Sequence, residues 1–279
     1  MRKFTAALKT VCICGLMVLG LESVSFAGGA TCAAATGLIP DGRVLTLDYV
    51  QPGGTAWYSF ASASGHSYSV EVRDDLDGNP NGDLASTFYS ASCATQMTAA
   101  SGPSYTPNQY RDTSAIDPVV IPNTGIRVSI PNPNTDTIAI KVVNSSQTIG
   151  HYVSVSVSET TLYANGWDTF SGINTQLIFQ NTTSQNINYT LTLTATNGGP
   201  QTGTTSGTLG PVSSATEHVQ LTASGPAPGG LGMNASEYGN GMFVHDGPPG
   251  AIQPRAWWFN YTTTPFTIVP MPVGPLRGK

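Results

Sequence analysis

The alternation of apolar and polar residues over short segments is the feature that most constrains how this chain folds. In residues 67–73, apolar side chains occupy every second position, namely Tyr68, Val70 and Val72. Residues 187–196 repeat the pattern. Because successive side chains in a β-strand point to opposite faces, such segments predict strands with one buried face and one exposed face.

Further strands are predicted along the chain, whereas signals for helices are nearly absent. The other predicted strands are 43–50, 57–60, 84–89, 126–130, 137–143 and 152–157, then 175–180, 217–223, 241–245 and 256–261. Clusters of Gly, Pro, Asn and Asp separate most of them. Short strands between turns are typical of β-sandwiches, so we predict an all-β fold with two consecutive β-sandwich domains, jelly-roll-like and immunoglobulin-like.

The first residues have the pattern of an export signal. Three basic residues lie within the first nine positions, and the apolar run 11–21 is too short to span a bilayer. Small residues at Ser25 and Ala27 favour cleavage after Ala27. We therefore expect a signal peptide at 1–27 and a secreted protein, extracellular or periplasmic, with no membrane insertion after cleavage; an uncleaved anchor is the alternative.

The predicted domains are 28–159 and 160–279, and the Pro-rich end 264–279 is either an edge strand or a loose tail. Charged residues make up only 10% of the chain, and Ser, Thr, Asn, Gly and Pro are abundant. The formal net charge is −5, and the predicted signal peptide holds three basic residues and one acidic residue. Because the mature chain is acidic and has no basic stripe, we expect neither nucleic acid nor an anionic membrane as a partner.

Two cysteines, Cys32 and Cys93, remain after the predicted cleavage. An even pair in an oxidising compartment predicts a disulfide. The two residues are 61 positions apart, and chain entropy alone gives such a loop about 4 kcal/mol of stabilisation. We expect the disulfide to hold the N-terminal segment to the first domain.

Four segments of the first half carry a resemblance to a known family. They are GTAWYSF at 54–60, GHSYSVEV at 65–72, DTIAIKV at 136–142 and GHYVSVSV at 150–157. Together they resemble the bacterial pre-peptidase C-terminal (PPC) domain over roughly residues 40–159. This resemblance implies a jelly-roll-like sandwich that serves exported enzymes as an accessory module. No peptidase domain precedes it here, so another partner is implied. The second half resembles immunoglobulin-like domains only in strand rhythm.

One loop has the composition of a calcium site. Its oxygen-bearing side chains alternate at Asp75, Asp77, Asn79, Asn81 and Asp83. Ca²⁺ takes six to eight oxygen ligands, so the loop is a candidate metal site. It is not an EF-hand, because Pro80 occupies the position where that loop requires glycine. The alternative is a polar turn between two strands.

No catalytic group of residues stands out in the sequence. His245 and Asp246 are adjacent, but neighbouring residues on a strand point to opposite faces, so Asp246 is poorly placed to orient the imidazole. The chain has no Gly-x-Ser-x-Gly elbow, and its four histidines are scattered. We assign no catalytic residue and predict that the protein is not an enzyme.

Residues 256–261 form the strongest aromatic cluster. Alternation places Trp257 and Phe259 on one face of the predicted strand, and Trp258 and Asn260 on the other. An exposed tryptophan beside an amide suits stacking on a sugar ring, so Trp258 and Asn260 are a candidate ligand surface. The alternative, which we favour, is that Trp258 packs between the domains.

These observations give one main functional hypothesis and two alternatives. The main one is a secreted or cell-surface, non-enzymatic accessory protein that presents sandwich surfaces to a surface glycan or an envelope protein. The alternatives are a carbohydrate-binding module centred on Trp258, and a secreted hydrolase built around Asp75, Asp77 or His245. Ca²⁺ is the one cofactor that the sequence suggests.

Overall fold

A computed structural model describes most of the chain after residue 27. The described residues are 28–44, 48–74, 84–90, 93, 96–97, 124–131, 133, 135–196, 202–219, 231–234, 236–260, 267–271 and 273–274. Nearly all regular structure in these ranges is β-strand, and the helical part consists of two single 3-10 turns at Cys32–Ala34 and Phe170–Gly172. The predicted all-β fold class is confirmed.

Eighteen strands lie within the described residues. Those of the first half are β1 (Thr36–Leu38), β2 (Asp41–Val44), β3 (Asp48–Val50), β4 (Thr55–Ala61), β5 (Ser67–Asp74), β6 (Leu84–Ser90), β7 (Thr124–Pro131), β8 (Thr137–Asn144) and β9 (His151–Glu159). Those of the second half are β10 (Leu162–Asp168), β11 (Ile173–Asn181), β12 (Ile187–Ala195), β13 (Thr202–Leu209), β14 (Ser214–His218), β15 (Tyr238–His245), β16 (Ile252–Asn260), β17 (Thr267–Met271) and β18 (Val273–Gly274).

The first half contains two sheets with a shared core. One sheet has the order β1-β4-β8-β6, and the other has the order β2-β9-β5-β7, with β3 also paired to β9. Alternate residues of the strands fill the space between the sheets, as predicted for Tyr68, Val70 and Val72. The remainder of this core is mostly valine and isoleucine, which favour strands because their branched side chains pack well on a pleated surface.

The second half repeats this plan with different residues. Its sheets have the orders β13-β12-β15-β10-β18 and β14-β11-β16-β17. The predicted inward residues Tyr189, Leu191 and Leu193 are buried. The ring of Phe243 stacks on Phe179 and on Tyr189, with ring centroids 3.9 Å and 5.0 Å apart. In the first core, by comparison, Phe60 and Tyr68 meet at a tilt, with ring centroids 5.3 Å apart.

In each half, a buried asparagine binds the backbone of the loop in which the chain crosses from one sheet to the other. The Asn144 side chain donates hydrogen bonds to three backbone carbonyls, those of Val50, Gln51 and Ile149. The Asn181 side chain does the same for Gln185, Leu209 and Gly210. Each side-chain oxygen also accepts a bond from the backbone N–H two residues later. Such bonds satisfy loop carbonyls that would otherwise be buried without partners.

The predicted disulfide joins Cys32 to Cys93, with the two Cα atoms 6.4 Å apart. The N-terminal segment also pairs with β4, because Gly29 and Trp57 exchange two backbone hydrogen bonds. Residues 1–27 lie outside the described residues, so the signal peptide and its cleavage remain predictions. Within the described ranges, no helix is long and apolar enough to cross a membrane.

Several strand predictions differ from the observed elements. The strand predicted at 217–223 is observed as β14, which covers Ser214–His218. β1, β10 and β13 were not predicted, because β1 has only three residues and the other two segments do not alternate clearly between apolar and polar residues. The Pro-rich end does include edge strands, since β17 and β18 each lie at the edge of a sheet.

Candidate functional site

The pair His245 and Asp246 is not arranged as a catalytic dyad. The Asp246 carboxylate accepts two hydrogen bonds from Asn188, one from its backbone N–H at 2.8 Å and one from its side-chain amide at 2.9 Å. Nδ1 of His245 instead accepts a hydrogen bond from the Gly247 backbone N–H at 3.1 Å. The two side chains therefore bind different partners, as the strand geometry predicts.

His245 is a buried structural residue between the two halves. Only 3% of it is exposed, and burial lowers the pKa of its imidazole to about 4, against opposing effects of the Asp246 carboxylate and the Thr160 backbone. The His245 backbone N–H donates to the Ser67 hydroxyl at 3.4 Å. The imidazole is therefore neutral at neutral pH, and the backbone of His245 links the end of β15 to the start of β5.

Near this contact lie four side chains that we call the junction cluster: His66, Tyr68, Glu159 and Tyr163. The Tyr163 hydroxyl donates to Oε1 of Glu159 at 2.7 Å, and Nδ1 of His66 lies 2.9 Å from the same oxygen. The His66 ring stacks on Tyr68 and meets Tyr163 edge-on.

The junction cluster brings four titratable side chains into contact with one another. Burial, with the neighbouring Glu159, raises the pKa of Tyr163, and burial raises that of Tyr68. A phenol with a raised pKa is a poor base at neutral pH, and the cluster contains no serine or cysteine nucleophile. The arrangement holds the turn before β5 against β10, which is a structural role.

A second polar pair is sealed inside the first core. The Tyr58 hydroxyl donates to Oδ2 of Asp48 at 2.7 Å, and both residues are buried. Burial raises the pKa of Asp48, although the hydrogen bond from Tyr58 partly opposes this. The neighbouring Tyr49 points outward and contacts Tyr152 with a centroid separation of 5.0 Å. This pair satisfies its own polar atoms and is closed to a substrate.

The candidate calcium loop, with Asp75, Asp77, Asn79, Asn81 and Asp83, lies outside the described residues. Among the residues that are described, no group of three or more His, Cys, Asp or Glu side chains is close enough together to hold a metal ion. The calcium site therefore remains a prediction from sequence.

Trp258 lies on the inner side of its strand. It is half-buried and packs against the second core, and its register partners on either side are Thr175 and Val269. Its indole N–H is buried and has no hydrogen-bond partner among the described residues. Asn260 is also half-buried. This position favours packing over a sugar-binding role for Trp258, although the packing is with its own half rather than between domains.

A regular polar surface, which we call the hydroxyl face, lies on the outer side of β12 and β13; its β13 residues and Thr194 are exposed, and its other β12 residues are half-buried. Its two rows are Asn188, Thr190, Thr192 and Thr194 on β12, and Thr208, Ser206, Thr204 and Thr202 on β13. The residues of the two rows are directly opposite one another, and neither strand carries a charge. Side-chain hydrogen bonds link Thr190 to Ser206 and Thr208 to Asn188.

Sequence reasoning missed this surface because β13 had not been predicted. The signal that could have found it is the spacing of uncharged polar residues at every second position in 188–194 and again in 202–208. No protein-family model matches the chain, and no curated protein shows significant similarity to it. The resemblance to PPC domains therefore stays a prediction.

Proposed function

We propose that this protein is an exported, non-enzymatic binding protein that holds a neutral surface polysaccharide on the hydroxyl face. The observation that carries the proposal is the regular, uncharged array on β12 and β13. Within the array, Thr190 is bonded to Ser206 and Thr208 to Asn188, but each hydroxyl oxygen has a second lone pair with which to accept a hydrogen bond from a ligand.

The chemistry of the array indicates the class of ligand. Hydroxyl groups both donate and accept hydrogen bonds, so a row of them suits a partner that also carries many hydroxyls. The rows are separated by the strand spacing of about 4.8 Å, and side chains repeat about every 7 Å along each strand. An extended polymer is able to contact several opposing residue pairs of the two rows at once, which raises its affinity over that of a single sugar.

Co-sedimentation with insoluble cellulose and with chitin tests the proposal. Thr194→Lys places a bulky charge on the exposed array, and Thr216→Lys is the matched control, because Thr216 is exposed on β14 in the other sheet. We expect the wild type and the control to sediment with at least one polymer, and Thr194→Lys to lose at least tenfold in affinity. Equal binding by all three proteins, or none by the wild type, would contradict the proposal.

A further inference from the structure

The edge strands of the four sheets differ in how they are protected from pairing with another chain. An exposed edge is a template for a further strand, and natural proteins block it with charges, prolines, short length or a covering segment. Among the described residues, β2, β7 and β14 contain charged residues, β17 contains Pro270, β1 and β18 have three residues or fewer, and β6 is bridged by Gln96.

β13 is the exception among these edges. It has eight residues, pairs with β12 without a break in register, and contains no charged residue and no proline. Within the described part of the chain, no strand pairs with its other side. β13 therefore has the length, regularity and neutrality that favour the addition of a strand.

The sequence of β13 indicates which strand would fit. Residues 202–208 read Thr-Gly-Thr-Thr-Ser-Gly-Thr, which is nearly the same in both directions around Thr205. Two copies of a strand that pair antiparallel across a two-fold axis each meet their own sequence reversed. A near-palindrome thus places similar residues opposite one another.

The register about Thr205 is favourable on the outer face. There, Thr202 lies opposite Thr208 of the second copy, and Thr204 lies opposite Ser206. Such hydroxyl pairs between strands are stabilising. On the inner face, Gly203 lies opposite Gly207, and the Leu231 backbone and Met233 side chain of the same chain already pack against Gly203.

We propose that β13 pairs with β13 of a second copy of this chain, antiparallel about Thr205, and joins two five-stranded sheets into one. The hydroxyl face would then continue across the dimer. The pairing uses backbone groups at the edge of the strand, so it does not depend on the polymer binding proposed above.

A charge swap tests the proposed register by sedimentation velocity. In the double variant Thr204→Lys/Ser206→Lys, each lysine faces a lysine of the second copy, and we expect a monomer. In Thr204→Lys/Ser206→Glu, each lysine faces a glutamate, and we expect a dimer that weakens with added salt. A monomeric wild type at all concentrations, or an unchanged dimer in the Lys/Lys variant, would overturn the proposal.

Cysteine cross-linking under a mild oxidant tests the same register independently of charge. Thr205→Cys places two cysteines opposite each other at the two-fold axis, whereas Thr202→Cys places them about 20 Å apart along the paired strands. Thr202 is exposed and Thr205 is half-buried. We expect covalent dimers from Thr205→Cys alone, although its cysteine is the less accessible. Equal cross-linking of both variants would refute the register.

Discussion

The two halves of the molecule share an architecture but differ in how their cores are stabilised and in how their sheet edges are protected. The first half has a core mostly of valine, isoleucine and four aromatic residues, a buried Asp48–Tyr58 pair and a disulfide, and its described edge strands are all short, charged or covered. The second half has stacked rings around Phe243 and contains no cysteine, and no strand of the described residues pairs with the second edge of β13.

This difference indicates a division of roles. A sheet whose edges are blocked resists pairing with other chains, whereas an unblocked, uncharged edge is available for it. The first half therefore has the character of a stable support, and the second half carries the surfaces that we propose for binding. Each half has a stabilising feature that a mutation removes, namely the disulfide in the first half and the stacked rings in the second.

The largest expected effect is in the aromatic core of the second half. Phe243→Ala removes a ring that stacks on Phe179 and Tyr189, and we expect the free energy of unfolding to fall by up to about 5 kcal/mol. Urea unfolding measures this. In the first core, Phe60→Ala removes the same atoms from a buried ring that meets Tyr68 at a tilt, with ring centroids 5.3 Å apart, and we expect a loss smaller by about 1 kcal/mol. Equal losses for the two variants would show that ring stacking does not distinguish the cores.

Removal of the disulfide is expected to affect the first half alone. In the double variant Cys32→Ala/Cys93→Ala, chain entropy predicts a loss of about 4 kcal/mol. Amide hydrogen exchange should accelerate in β1 and β4, to which the N-terminal segment pairs, and stay unchanged in β12 and β15. Equal acceleration in both halves would contradict the division.

One buried titratable group in each half contributes to the acid response, and the two contributions have opposite signs. His245 has a pKa of about 4 when folded and an ordinary value of 6.5, so the unfolded state binds its proton first. The free energy of unfolding should therefore fall by about 3 kcal/mol from this group as the pH drops from 6.5 to 4. Asp48 has a raised pKa when folded, so its contribution favours the folded state as the pH falls.

Chemical unfolding across pH 4 to 7 measures these contributions. We expect His245→Gln to flatten the loss of stability on acidification, and Asp48→Asn to steepen it. Thr216→Ala, an exposed change on β14, is the control and should leave the slope as in the wild type. Identical slopes for all four proteins would show that neither buried group controls the acid response.

The smallest expected effects come from the feature that the halves share. Asn144→Ala and Asn181→Ala each remove three hydrogen bonds to backbone carbonyls, and each should cost about 2 kcal/mol. Asn186→Ala, at an exposed position, is the control and should change the free energy of unfolding by less than about 0.5 kcal/mol. Thermal unfolding compares them. A large effect at only one buried asparagine would show that the two loops are not equivalent.

Local alternation was enough to predict the strands with strongly apolar faces. β5 and β12 were correctly placed because their apolar side chains recur at every second position and are buried. β13 could not be found this way, since a strand of Thr, Gly and Ser has no apolar face, and its position depends on pairing with β12.

Polar contacts between distant residues were also beyond prediction. Hydropathy favours burial of Tyr49 over Asp48, yet Asp48 is inside because Tyr58, ten residues later, donates a hydrogen bond to it. The buried role of His245 likewise depends on Ser67 and Thr160, which are far away in sequence. Such partners become visible only when the sheets are assembled.

Hydrogen exchange of the β13 amides at increasing protein concentration tests the central comparison most directly. If β13 is an open edge that pairs with a second copy, its outward amides should become protected as the concentration rises, while the edge strands β2 and β7 keep a constant rate. Rates in β13 that do not depend on concentration, or protection that rises equally at the edges of the first half, would contradict the account.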